Sequence, residues 1–132
     1  DWARLAGVPM NFPSQWHPAK SVQAMRFAAA LEDDQTALVR FARAAFASYC
    51  GRQENHDDLD VLEPAATAEG LDGAAIRAAA GSDAVKARLR ANTEEVVARG
   101  GYGSPTIFVD GADMYFGNDQ LPLVEAALTR KS

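Results

Sequence analysis

Apolar residues recur at helical spacing over most of the chain, and the pattern changes only near the C-terminus. Asp1 to Gly7 reads as the last turns of a helix closed by glycine. Val8 to Pro13, with two prolines, is held extended, and Ser14 to Pro18 is a loop. Ser21 is a candidate N-cap for a helix with Val22, Met25, Phe27 and Ala29 on its apolar side. A second helix carries Leu38, Phe41, Ala42, Ala45, Phe46 and Tyr49 and stops near Cys50-Gly51. Asp58 can cap a third, with Val61, Leu62 and Ala65 inward and Pro64 restricting its first turn. A short helix covers Ala74 to Ala80. The longest runs from about Ala84 to Arg99, with Val85, Leu89, Thr93, Val96 and Val97 on its expected buried face.

After Gly100-Gly101-Tyr102-Gly103 the period shortens. Thr106 to Val109 reads as a buried strand, Asp110-Gly111 as a turn, and Met114 to Phe116 as a second strand. A final helix follows Gly117-Asn118-Asp119, with Leu121, Val124 and Leu128 as its stripe and Pro122 tolerated in the first turn. The order is therefore five helices, a hairpin and one more helix. A lone two-stranded sheet is marginal in water. The nearly all-apolar Thr106–Val109 strand is expected to need a neighbour on its other edge, and no remaining segment reads as that neighbour.

Composition narrows the function classes. With 132 residues, 48% of them apolar, the chain suits one globular domain, and its abundant alanine favours helix. The net charge of −5 and the lack of a basic patch argue against nucleic acid as a partner. No apolar run approaches the roughly 20 residues of a membrane span, and no secretory signal pattern is visible. The single cysteine, Cys50, excludes a disulfide or Cys-x-x-Cys pair within this chain, and a reducing, cytoplasmic location is expected.

Two stretches carry candidate chemistry. In Gly103-Ser104-Pro105-Thr106 a small residue and a proline lead into a buried strand, the arrangement of a cis-proline loop. Pro105 would then hold the main-chain N–H and C=O of Ser104 outward, free to pair with an extended peptide; an ordinary trans turn is the plainer alternative. In Phe116-Gly117-Asn118-Asp119 two polar residues stand at a helix start, where free N–H groups favour a carboxylate and Asp119 could accept from an ammonium. Capping alone would also account for them. A γ-glutamyl group presents both charges, so glutathione suits the pair of motifs.

These motifs, with Ala87-Arg88-Leu89-Arg90-Ala91-Asn92-Thr93-Glu94-Glu95 and, less specifically, Gly7-Val8-Pro9 to Phe12-Pro13 and Ala24-Met25-Arg26, resemble the 2-hydroxychromene-2-carboxylate isomerases and kappa-class glutathione transferases. The resemblance implies an α/β, thioredoxin-like fold of the DsbA type with an inserted all-helical domain, mostly α in this chain. Residues 1–20 would connect within the thioredoxin-like unit, 21–80 would be the insertion, and 81–132 the closing hairpin and helix. It implies glutathione as cofactor, bound by Ser104, Pro105, Asn118 and Asp119, and a small aromatic substrate; it allows a homodimer.

In that family a first strand ends in a loop whose serine addresses the glutathione thiol. No such segment occurs here, so no catalytic residue is assigned. The start at Asp1 without a methionine fits an expectation that the catalytic segment lies upstream and that this chain alone is inactive. A kappa-like transferase, a DsbA-like thiol–disulfide oxidoreductase and a non-catalytic partner-binding fragment are the competing readings. Cys50, with no adjacent histidine or basic cluster, reads as inert. His17 and His56 read as isolated loop residues, and His56 with Asp57, Asp58 and Asp60 as a solvated acidic loop rather than a metal site. Trp16 and Phe12 suit either a pocket wall or plain packing. The Gly100–Gly103 cluster precedes a strand, which excludes a phosphate-binding loop.

Overall fold

A computed structural model describes residues 1–111 and 113–130. Seven α-helices and one hairpin follow in the order α1 (Trp2–Leu5), α2 (Val22–Ala30), α3 (Gln35–Phe46), α4 (Leu59–Ala68), α5 (Gly73–Ala80), α6 (Asp83–Ala98), β1 (Thr106–Val109), β2 (Asp113–Phe116) and α7 (Leu121–Thr129). A π-helical turn, Ala47–Gly51, extends α3, and a 3-10 turn, Asn118–Gln120, leads into α7. The chain divides into two units, residues 1–89 and 90–132, with the boundary inside α6.

The first unit is helical, and its core is built by α2 to α5. Phe27 and Phe41 stack with ring centroids 5.5 Å apart, and Leu62, Ala66, Ile76, Ala80 and Ala45 close around them. Burying each large side chain of this kind stabilises the fold by about 1.5–3 kcal/mol. Aspartates start three helices: Asp34, Asp58 and Asp72 accept from the main-chain N–H of Ala37, Asp60 and Ala75, each relieving an orphan donor. Arg77 bridges Asp60 and Glu63, tying α5 to α4. Arg88 reaches Asp33 and the carbonyl of Ala29.

Several expectations need correction. Ser21 precedes α2 but does not cap it, because its left-handed conformation (φ 55°) departs from the extended geometry that lets a cap oxygen reach the helix amides. Of the apolar side expected for α2, Phe27 and Ala29 are buried, whereas Val22 and Met25 are exposed. On α3 the buried stripe is Ala37, Phe41, Ala44 and Ala45, continued by Ser48 in the π turn. Phe46 lies about 140° around the helix from Phe41 and is 68% exposed. Pro64 sits inside α4, because the Asp58 cap starts that helix at Leu59.

The second unit holds the antiparallel pair of β1 and β2, with Thr106 opposite Phe116 and Val109 opposite Asp113. Among the described residues β1 is paired along one edge only. Within the strand Val109 is buried and Thr106 to Phe108 are half-buried, less enclosed than the apolar run implied. Asp110 and Gly111 turn at positive φ as expected; Ala112 lies outside the described residues. α7 packs near β1 and buries Ala127, whereas Leu121 and Leu128 are exposed. On α6, Val85 is buried but Thr93, Val96 and Val97 are not. In both helices periodicity identifies an apolar stripe, and burial further needs a surface to cover it; the described residues supply that surface at Val85 and Ala127. The guanidinium of Arg99 instead lies 3.8 Å over the Phe108 ring.

Candidate functional site

The two candidate motifs meet within the second unit. Both are turns flanking the hairpin: Gly103-Ser104-Pro105 enters β1, and Gly117-Asn118-Asp119 leaves β2. Because Thr106 pairs with Phe116, the residues just outside that pair are brought side by side. The ladder continues one step further, with the Gly117 N–H donating to the Pro105 carbonyl at 3.0 Å. That bond joins the proline loop to the polar turn.

The Ser104–Pro105 peptide bond is cis, as the motif predicts. Ser104 is exposed, and neither its N–H nor its C=O bonds to another described residue. The next carbonyl, that of Pro105, is already used by Gly117. The Thr106 hydroxyl donates to the Gly103 carbonyl, which fixes the loop from the strand side. Gly103 leaves room for the aromatic cover of this corner. A Cβ there would stand 2.3 Å from Cε2 of Phe116, whose ring lies 4.8 Å from that of Tyr102.

Asn118 and Asp119 are exposed in the 3-10 turn rather than in the first turn of α7. Neither side chain caps α7, whose N-cap position is Gln120. They open the 3-10 turn that runs directly into α7, one turn ahead of the α-helix that carries Pro122 in its first turn. The main-chain N–H groups of Asn118 and Asp119 find no acceptor among the described residues, the normal condition of a helical start. One oxygen of Asp119 accepts from the Gln120 amide at 3.1 Å, and the carboxylate remains exposed.

Gly117, which ends the hairpin within the Phe116–Asp119 motif, has a role of its own in the turn. Its conformation, φ 100° and ψ 155°, is one that only glycine adopts readily. A Cβ would also meet Oδ1 of Asp119 at 2.4 Å. Glycine therefore sets both the direction of the turn and the space for the carboxylate.

The matching pattern reaches beyond these turns: the model of the DSBA-like thioredoxin domain matches residues 1–129. The chain belongs to the DSBA-like thioredoxin domain family. It is 28% identical over 131 residues to a 2-hydroxychromene-2-carboxylate isomerase of Pseudomonas putida, a match covering 98% of this chain and 61% of that protein. To an enzyme of the same name from Pseudomonas sp. (strain C18) it is 30% identical over 129 residues, covering 96% of this chain and 58% of the relative. A solved structure of 2-hydroxychromene-2-carboxylate isomerase superposes with a TM-score of 0.75 at 27% identity, covering 98% of this chain and 61% of that one. The chain thus spans about three-fifths of the length of these relatives. The fold is the thioredoxin-like DsbA fold, here mostly helical with a small antiparallel sheet.

The remaining candidates lie in the first unit. His56 is buried, which corrects its reading as part of a solvated loop: its Nε2–H donates to the carbonyl of Ala45, near the end of α3, and its ring tilts against Tyr49. Burial pushes its pKa below the usual histidine value, against the opposing pull of that carbonyl and of Glu54. His17 is not isolated either; Nδ1 lies 3.3 Å from the Tyr49 hydroxyl, and its ring stands edge-on to Phe12. Trp16 and Phe12 are exposed. Cys50 is a half-buried free thiol in the π turn. Among the described residues no group of three or more His, Cys, Asp or Glu side chains could hold a metal ion, and no helix is long and apolar enough to cross a membrane.

Proposed function

We propose that this chain carries the peptide-binding corner of a glutathione-dependent enzyme of the 2-hydroxychromene-2-carboxylate isomerase type, acting on a small aromatic substrate. The observation that carries the reading is the Gly117 N–H to Pro105 carbonyl bond. It sets the unpaired main chain of Ser104 beside the unpaired amides of Asn118 and Asp119.

Ser104 offers an N–H and a C=O at a strand end, which suits the main chain of a cysteinyl residue lying alongside. The amides of Asn118 and Asp119 suit a carboxylate. The Asp119 carboxylate suits an ammonium held next to it, as a charge-assisted hydrogen bond. Glutathione presents these groups along one short extended peptide. When bound, it would supply a sulfur nucleophile able to add reversibly to a conjugated substrate. The tasks left to these residues are to fix the peptide and to exclude misaligned poses. No residue of this chain is assigned to the thiol itself. Cys50 is the single cysteine of the sequence, so this chain contains no pair for thiol–disulfide exchange.

Calorimetric titration of the chain with glutathione tests the reading. Asp119→Ala should weaken binding by about tenfold or more, the typical worth of a charged hydrogen bond. Cysteinylglycine, which lacks the γ-glutamyl end, should bind correspondingly worse. Equal affinity for the two peptides, equal affinity of parent and variant, or no heat with either peptide would refute the proposal.

A further inference from the structure

A small pocket in the first unit lies between α2 and α3, with a volume of about 200 Å³. A cavity of roughly 150 Å³ is enough to hold benzene, so the space suits a body of about six carbons. Met25 and Phe46, 45% and 68% exposed, stand at its rim, and Phe41 and Ala42 contribute to its wall. No charged residue lines it.

Two polar residues do, Ser21 and His56. Ser21 stands in the left-handed region (φ 55°), and its hydroxyl neither caps α2 nor makes another hydrogen bond among the described residues. That conformation costs a residue with a side chain about 1 kcal/mol, and backbone strain of this kind clusters where ligands are held.

His56 is 7% exposed. Its Nε2 faces the Ala45 carbonyl, which can only accept, so the ring proton sits on Nε2 and Nδ1 keeps a bare lone pair. Burial, the largest influence on this ring, favours the neutral form. Nδ1 makes no hydrogen bond among the described residues, yet it is not sealed off. The one buried side-chain nitrogen or oxygen without a partner among them is Nε of Arg26. His56 therefore offers the pocket one acceptor and no donor.

The chemistry of an occupant follows from that acceptor. An anion would face the Nδ1 lone pair with no cation to receive it, and an ammonium would be enclosed with no carboxylate beside it. Both are disfavoured by the cost of burying an unpaired charge. A neutral molecule with one O–H on an apolar body meets both demands of the site.

We propose that this pocket binds a small neutral alcohol. Its O–H donates to Nδ1 of His56, and its hydrocarbon body lies against Met25 and Phe46. The site shares no residue with the glutathione corner, so the two readings stand or fall separately.

The sequence has two histidines, so ring-nitrogen NMR reads the site directly. The full chain, labelled with nitrogen-15, is observed at about pH 8, above the ordinary histidine range. Without ligand, His56 should show a protonated Nε2 and a bare Nδ1. Cyclohexanol at millimolar concentration should move the His56 Nδ1 signal saturably and leave His17 in place. Methoxycyclohexane, which keeps the body and loses the donor, should bind about tenfold more weakly, the typical cost of leaving an enclosed acceptor unpaired. Cyclohexanecarboxylate should bind more weakly still. Ala42→Leu, which fills the pocket with another good helix former, should abolish the shift while the helical circular dichroism is retained. A ring proton on Nδ1, no saturable shift with cyclohexanol, or equal affinity for the methyl ether overturns the proposal. An undiminished shift in a folded Ala42→Leu chain overturns it too, because the alcohol would then sit elsewhere.

Discussion

Replacing Gly117 by alanine tests the local logic of the site without assuming any ligand. Its φ of 100° and ψ of 155° place it in a region that costs a residue with a side chain about 1–3 kcal/mol. The added methyl would stand 2.4 Å from Oδ1 of Asp119, an ångström short of the 3.4 Å at which ordinary contact begins. Asp119 must swing away, giving up its bond to the Gln120 amide. That exposed bond is worth little, so the backbone term dominates. Local opening of the hairpin should then become about 5- to 150-fold more frequent. Native-state amide exchange of the β1 and β2 amides, and of the amide at position 117, reads this directly. Gly111→Ala is the control, since Gly111 also has positive φ (81°) but a Cβ there would meet nothing within 4 Å; it should cost about 1 kcal/mol, the ordinary left-handed penalty. If Gly117→Ala changes exchange less than about threefold, or accelerates it less than Gly111→Ala does, this account of the turn is wrong.

Three further outcomes follow from the first unit. Leu62→Ala removes a fully buried side chain from the centre of the helical core and should lower stability by about 2–5 kcal/mol, read from the urea midpoint at unchanged slope. Asp72→Ala leaves the Ala75 amide without its side-chain acceptor and should cost about 1 kcal/mol, with faster exchange at that amide. His56 has a folded pKa depressed below its usual 6.5, mainly by burial. The unfolded chain therefore takes up the proton first: the contribution is complete above that value and is lost as pH falls through the folded pKa, with a slope of at most about 1.4 kcal/mol per pH unit. Urea titrations of the parent and His56→Gln chains should diverge most above pH 6.5 and converge below the folded pKa; a constant difference across that range would contradict the assignment.

The helices were legible because the means that make them are local. Apolar spacing marks all of them, and Asp58 caps α4 as expected; Asp34 and Asp72 cap α3 and α5 in the same way, although only apolar spacing pointed to those two helices. The hairpin was legible for the same reason, since Asp110-Gly111 supplies both positive-φ residues between two apolar runs. Burial was read less well, because it depends on what faces a stripe. Phe41 and Phe46 look equivalent as large apolar residues on one helix, yet one is at the centre of the core and the other is mostly exposed. His56 failed in the opposite direction: its acidic neighbours suggested solvent, while the acceptor that buries it, the Ala45 carbonyl, is eleven residues away. The same holds for the site. Ser104-Pro105 and Asn118-Asp119 were visible as separate motifs, but the bond that joins them depends on strand register, which places Thr106 opposite Phe116.

Charge provides a separate check on the proposed glutathione site. The chain carries a net −5, and glutathione is itself an anion near neutral pH, so long-range electrostatics oppose their encounter. Beyond about 8 Å that repulsion is screened at physiological ionic strength. Attraction must then come from groups in direct contact, and the corner offers them in the needed order: unpaired amides at Asn118 and Asp119 for a carboxylate, and the Asp119 carboxylate for the adjacent ammonium. Direct hydrogen bonds depend weakly on salt, whereas steering by net charge depends on it strongly. Raising sodium chloride from 50 to 500 mM should therefore leave glutathione affinity within about threefold, or raise it slightly as the repulsion is screened. A steep fall in affinity over that range would mean that the peptide is held by a positive field, which neither this corner nor the chain as a whole supplies.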